Sequence, residues 1–101
     1  MPPLQGFQRR FLRGLANPRK ALVHVGEGGV SASVLGAIDR ALLDHELVKV
    51  RLREPENKKA TAHELAKRSR AELCGLVGHT VILYRPHPDQ PQIELPTRDG
   101  G

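Results

Sequence analysis

The 101 residues predict an α/β protein of the α+β sandwich kind, with element order α-β-α-β-α-β-β and a four-stranded mixed sheet. Three observations carry this. Amphipathic stretches of helical period alternate with short β-prone runs. A strand, helix, strand sequence from Leu22 to Arg53 implies a right-handed parallel crossover. Gly78-His79 then joins two last β-prone runs as an antiparallel hairpin.

The first helix is expected from Leu4 to Leu15. Advancing about 100° per residue from Phe7 puts Leu4, Phe11 and Leu15 within roughly 80° of it, while Arg9, Arg10 and Arg13 fall near 200°, 300° and 240°. This arrangement predicts an inner stripe holding both phenylalanines and a cationic back. Asn17-Pro18 ends the helix, because a residue before proline is pushed out of the α region. Ala21 to Val25 is an apolar run of strand length and reads as a buried strand.

Ser31 is the expected N-cap of a second helix whose Val34, Leu35, Ile38, Ala41, Leu42 and His45 share one stripe. Leu47 to Arg53 alternates strictly, which gives a strand with Val48, Val50 and Leu52 on an apolar face and Lys49, Arg51 and Arg53 on a cationic one. Asn57 to Arg70 carries helix formers, with Ala62, Leu65 and Ala66 as inner positions. Glu72 to Val77 and Thr80 to Tyr84 are the hairpin strands, and a glycine at the first central turn position suits a type II′ turn. The division is one domain over residues 1–86 and a Pro/Gly-rich tail over 87–101. The tail, with Pro88, Pro91, Pro96 and a closing Gly100-Gly101, is expected to be extended or mobile.

A chain this short buries only about two-thirds of its unfolded surface, which leaves little room for a deep substrate cleft and favours a binding module. One cysteine, Cys74, excludes an internal disulfide framework, and no Cys/His spacing suggests zinc. The expected setting is a reducing, cytoplasmic compartment. No apolar run is long enough for a membrane span.

Sixteen basic against eleven acidic residues leave a formal charge of +5. Residues 1–20 alone carry +5, through Arg9, Arg10, Arg13, Arg19 and Lys20 with no acid; residues 21–70 add +2 and residues 71–101 take away 2. An acid-free first fifth places any anion-binding face near the first helix. Lysine and arginine gain affinity by releasing counterions condensed on a phosphate chain, so Arg9, Arg10, Arg13, Lys20, Lys49, Arg51 and Arg53 are candidate nucleic-acid contacts.

Gly26-Glu27-Gly28-Gly29 has GxxG spacing between a strand and a helix start. Glycines let the main chain approach a sugar-phosphate backbone, and the next helix's free N–H groups can donate to phosphate. The GxxG loops of KH domains clamp nucleic acid in this manner. Spacing alone serves a tight turn equally well. With Phe7 and Phe11 assigned to the inner stripe, Tyr84 is the remaining aromatic, and recognition is expected to use backbone and shape rather than stacking.

His24 and His45 are expected at the core or its edge, His63 and His87 facing solvent, and His79 beside the hairpin glycine, where it can touch a ligand. Cys74 is expected to be an inert buried thiol. The spacings offer no catalytic triad, carboxylate pair, metal set or cofactor loop, so no catalytic or metal residue is assigned.

Four blocks in order, Gln8 to Ala16, Val25 to Val30, His45 to Arg51 and Gly78 to Pro86, resemble the CRM domain, and within it the stand-alone bacterial YhbY-type members. The resemblance covers roughly residues 4–96. It implies the same α-β-α-β-α-β-β fold, similar to the C-terminal domain of bacterial translation initiation factor three. It also implies an RNA-binding protein acting on ribosomal RNA in precursors of the large (50S) subunit. No cofactor, membrane or small-molecule substrate is expected, and the chain is expected to be a monomer. By position, the family's RNA-contacting loop falls on Gly26, Glu27, Gly28 and Gly29, and its basic surface includes Arg9, Arg10 and Arg13. The family commonly has a basic residue where this chain has Glu27, and Arg or Lys where it has His79. Both changes subtract positive charge and shift weight to the first helix and the Lys49, Arg51, Arg53 face. A basic adaptor meeting an acidic protein, and a small RNA-processing enzyme, are the alternative readings.

Overall fold

The structure is a computed structural model and describes residues 3–98. Helix α1 spans Gly6–Ala16, strand β1 Ala21–Val25, helix α2 Ala32–His45, strand β2 Leu47–Leu52, helix α3 Lys58–Arg68, strand β3 Glu72–Val77 and strand β4 Thr80–Tyr84. This is the order the sequence predicts. The strands lie in the order β1-β2-β4-β3. β1 runs parallel to β2, and β4 runs antiparallel to both β2 and β3, so the sheet is mixed as expected.

Alternation along β2 sorts the two faces. Val48, Val50 and Leu52 join Val23, Val25, Val81 and Leu83 in a core covered by Ile38 and Leu42 of α2 and by Ala62, Leu65 and Ala66 of α3. The other face carries a second core of Leu4, Leu12, Ala16, Leu47, Cys74, Ile82 and Tyr84 under α1. The two helices over this core start at side-chain caps, the first of them at the Ser31 expected from the sequence: Val34 N–H donates to Ser31 Oγ at 3.2 Å, and Ala60 N–H to Asn57 Oδ1 at 3.0 Å. Each such cap contributes about 1 kcal/mol. In the hairpin turn only Gly78 takes a positive φ, +59°, as the expected turn requires.

The buried side of α1 departs from the expectation. Leu12 and Ala16 are fully buried, whereas Phe7 is half-buried and Phe11 is 38% exposed. At about 100° per residue, Leu12 and Ala16 lie roughly 140° and 180° from Phe7, which turns the sheet-facing side toward Arg9 and Arg13. The reason is that an arginine's methylene stem packs on apolar surface while its head finds polar partners. Arg9 Nη1 donates to Leu4 O, and Arg13 Nη1 donates to Cys74 O at 2.8 Å. A hydropathy pattern assigns both residues outward and so rotates the helix.

β1 is not buried on both faces. Val23 and Val25 are in the core, but Leu22 is 53% exposed and His24 is also exposed, because α1 rests on β2, β3 and β4. His45, at the last position of α2, is exposed rather than at the core edge. His87 is half-buried, with its Nδ1 accepting from the N–H groups of Asp89 and Gln90 at 3.1 and 3.0 Å.

The described part of the tail has neither helix nor strand, yet it is fastened along its length. The buried Glu46 carboxylate accepts from His87 N–H at 2.7 Å and from Gln92 and Ile93 N–H at 2.9 Å each. Ile93 and Leu95 pack against the second core, and the Arg98 guanidinium stands 5.4 Å from the centre of the Phe7 ring. Gly100-Gly101 lie outside the described residues.

Candidate nucleic-acid interface

α1 covers only part of its face of the sheet. Beside it a groove of about 420 Å³ is lined by Arg10, Arg13 and Gly14 of α1, Asn17, Lys49 of β2, and Val77, Thr80 and Ile82 of the hairpin. Helix and strand cations from distant parts of the chain therefore meet along one wall. The alternation that buries Val50 and Leu52 puts Arg51 on the same face as Lys49, beside His24 and Thr80 in the strand register.

The groove's cations are held by neutral acceptors. Lys49 Nζ donates to Asn17 O at 3.3 Å and to Arg19 O at 3.1 Å, next to the carbonyl end of α1, where positive charge is favoured. Arg13 is held by Cys74 O. The ion pairs among the described residues are Arg68 with Glu64 and Arg85 with Asp39, both away from this groove. Arg10, Arg13, Lys49 and Arg51 thus keep their charge available to an anion.

Lys20 lies around the end of α1, in a neighbouring groove that Lys49 also lines. The remaining candidates fall elsewhere. Arg9 is tied to Leu4 O at the start of α1. The glycine loop, with an N–H of Gly29 donating to Gly26 O at 3.0 Å, opens onto a separate groove. That groove holds Arg53 among four carboxylates, Glu27, Glu54, Glu56 and Glu64. Gly26, Gly28 and Gly29 face open space, but carboxylates outnumber basic groups along this groove even with Glu64 paired to Arg68. His79 is exposed on the turn, and its carbonyl accepts from Leu52 N–H at 2.7 Å.

Two contributors escaped the sequence reading. Gly75 lies under Arg13, with Arg13 Cδ 2.6 Å from the position a Cβ would take. A glycine inside a strand is the signal that marked it, since it often means close approach of another group. The second is Leu22, hidden inside an apolar run. Cys74 behaves as expected: burial, then the nearby Glu72 carboxylate, push its thiol up to about 12 against the pull of Arg13 and Arg9. It holds no thiolate at neutral pH.

The family model for the CRS1 / YhbY (CRM) domain matches residues 4–85. The chain is 39% identical over 95 residues to the "Probable RNA-binding protein YqeI" of Bacillus subtilis, a match covering 92% of this chain and 99% of that one. It is 33% identical to an "RNA-binding protein" of Haemophilus influenzae, covering 97% of this chain and all of the relative. The solution structure of the hypothetical protein SAV1595 from Staphylococcus aureus superposes with a TM-score of 0.80 at 34% identity, covering 92% of this chain and 99% of that one.

Proposed function

Because the chain belongs to the CRS1 / YhbY (CRM) domain family, we propose that it is a non-enzymatic RNA-binding protein that holds ribosomal RNA and assists assembly of the large ribosomal subunit. The observation that carries the RNA reading is the joint wall of Arg10, Arg13 and Lys49 beside α1, continued by Arg51 on the same sheet face. Cations gathered from a helix and a strand, none of them neutralised by a carboxylate, suit a phosphate chain. Affinity then comes chiefly from counterion release and depends weakly on base sequence.

On this reading the glycine loop is a secondary contact. Its backbone is accessible, but the four glutamates around it oppose phosphate. Ribosomal RNA and the large subunit are the most specific part of the proposal, and they rest on the family resemblance. A salt titration with a structured ribosomal RNA fragment tests the first part: affinity should fall log-linearly with salt. Treating a lysate with RNase tests the second, and should release the protein from large-subunit precursors. Binding indifferent to salt, with retention on an acidic protein after RNase, would establish the adaptor reading instead.

A further inference from the structure

We infer that a second groove, walled by the starts of β1 and β2, the end of α2 and the tail, receives one unstacked nucleotide of the bound RNA strand. This rests on the RNA reading above and extends it from phosphates to a base. The groove has a volume of about 590 Å³, within the range of about 300 to 1,000 Å³ typical of small-molecule sites. Lys49 lines both this groove and the one holding Arg10 and Arg13. A strand lying along α1 therefore reaches the pocket without leaving positive charge, passing from Arg13 over Lys49 to Lys20.

The walls suit a base. Leu22 and Leu43 are large apolar side chains left 53% and 41% exposed, and they stand with half-buried Ile93 in this groove. They give a non-polar surface for the flat face of a nucleobase. The polar groups suit its rim. His87 Nδ1 already accepts two backbone N–H groups, so in the neutral ring the proton sits on Nε2, which remains as a donor. Gln90 and Gln92 on the same wall carry side-chain amides that can both donate to and accept from a base. The charge also fits. Arg19, Lys20 and Lys49 outnumber the groove's two carboxylates, Asp44 and the Glu46 already bonded to three tail N–H groups.

The test compares a short single-stranded oligoribonucleotide with a blunt duplex of the same sequence, using the whole chain and the Leu22→Ser/Leu43→Ser variant. Both positions are exposed, and a thermal melt verifies folding; Leu43→Ser alone serves if the double variant melts early. Affinity for the single strand should fall roughly tenfold, the scale of one lost base contact. Duplex affinity and both salt slopes should stay unchanged. With 4-thiouridine in the strand, crosslinks should fall within residues 19–22, 43 or 87–93. Equal losses on both RNAs, an unchanged single-strand affinity, or crosslinks confined to α1 would overturn the pocket while leaving the RNA reading in place. Wild-type protein that binds neither RNA, or that binds polyglutamate through these residues, would remove the RNA reading itself and the pocket with it.

Discussion

Arg13 lies across Gly75, with its Cδ 2.6 Å and its Cγ 3.1 Å from where a Cβ on residue 75 would stand. The glycine is therefore the seat on which an α1 cation crosses to β3 and bonds to Cys74 O. Gly75→Ala should displace that stem at a cost of about 1 to 3 kcal/mol, the range for overpacking, and should weaken RNA binding as Arg13→Ala does. The check is a double-mutant cycle. Arg13→Ala in the Gly75→Ala background should recover much of the lost stability, because the two residues share one clash. Additive losses would mean that the two side chains do not oppose one another.

The groove separates neighbouring arginines. Arg10 and Arg13 line it, whereas Arg9 is turned to Leu4 O. Arg10→Ala with Lys49→Ala should lower the slope of log affinity against log salt by about 1.4 for a single strand, at about 0.7 per phosphate contact. Arg9→Ala should leave that slope unchanged and act on stability. Equal slope changes in the two variants would place the interface on the whole of α1 rather than on its sheet-side groove.

Much of this arrangement was legible in the chain, and the reasons for success and failure differ by element. Alternation sorts Val48, Val50 and Leu52 from Lys49 and Arg51 correctly, because it admits one partition between core and open side, but Leu47 is buried in the second core and Arg53 lies past the strand in the glycine-loop groove. Ser31 marks its helix through a local hydrogen bond that needs no tertiary partner, and Asn57 caps α3 in the same way although the sequence marks it only as the start of a run of helix formers. α1 was found but turned about its axis. Its burial is decided by what lies beneath it: Gly75 leaves room for an arginine stem, and the tail offers Arg98 to Phe7. Neither contact is local in sequence. The same holds for the carboxylates around the glycine loop, since Glu54, Glu56 and Glu64 reach it only through the pairing of β1 with β2 and the placement of α3. Sequence spacing identified the loop, but its field had to be seen in three dimensions.

That field makes a prediction of its own. Glu27 stands at the loop tip among three other glutamates and Arg53. Glu27→Lys changes the local charge by two without touching a packed side chain, since the residue is exposed. RNA affinity should rise severalfold at low salt, and the salt slope should steepen by up to about 0.7 if one phosphate contact is gained. An unchanged affinity would show that bound RNA does not reach the loop.

One carboxylate takes three of the tail's backbone N–H groups, which ties part of the tail's attachment to pH. Burial pushes the Glu46 carboxyl up, but the N–H groups of His87, Ile93 and Gln92 outweigh it and hold it below its ordinary value of 4.5. A carboxyl lowered in the folded state stabilises the fold above its unfolded value, and that contribution is lost as pH falls from about 4.5 through the lower folded value. Glu46→Gln keeps the shape but replaces one acceptor oxygen with a donor facing backbone N–H groups. It should cost about 1.5 to 3 kcal/mol at neutral pH, the range for hydrogen bonds to a charged group. Melts from neutral pH into acid should show the wild type losing its advantage over the variant only below about pH 4.5. Limited proteolysis at neutral pH should cut the variant first between Pro86 and Leu95. A constant gap between the two proteins across that range would mean that the carboxylate does not hold the tail.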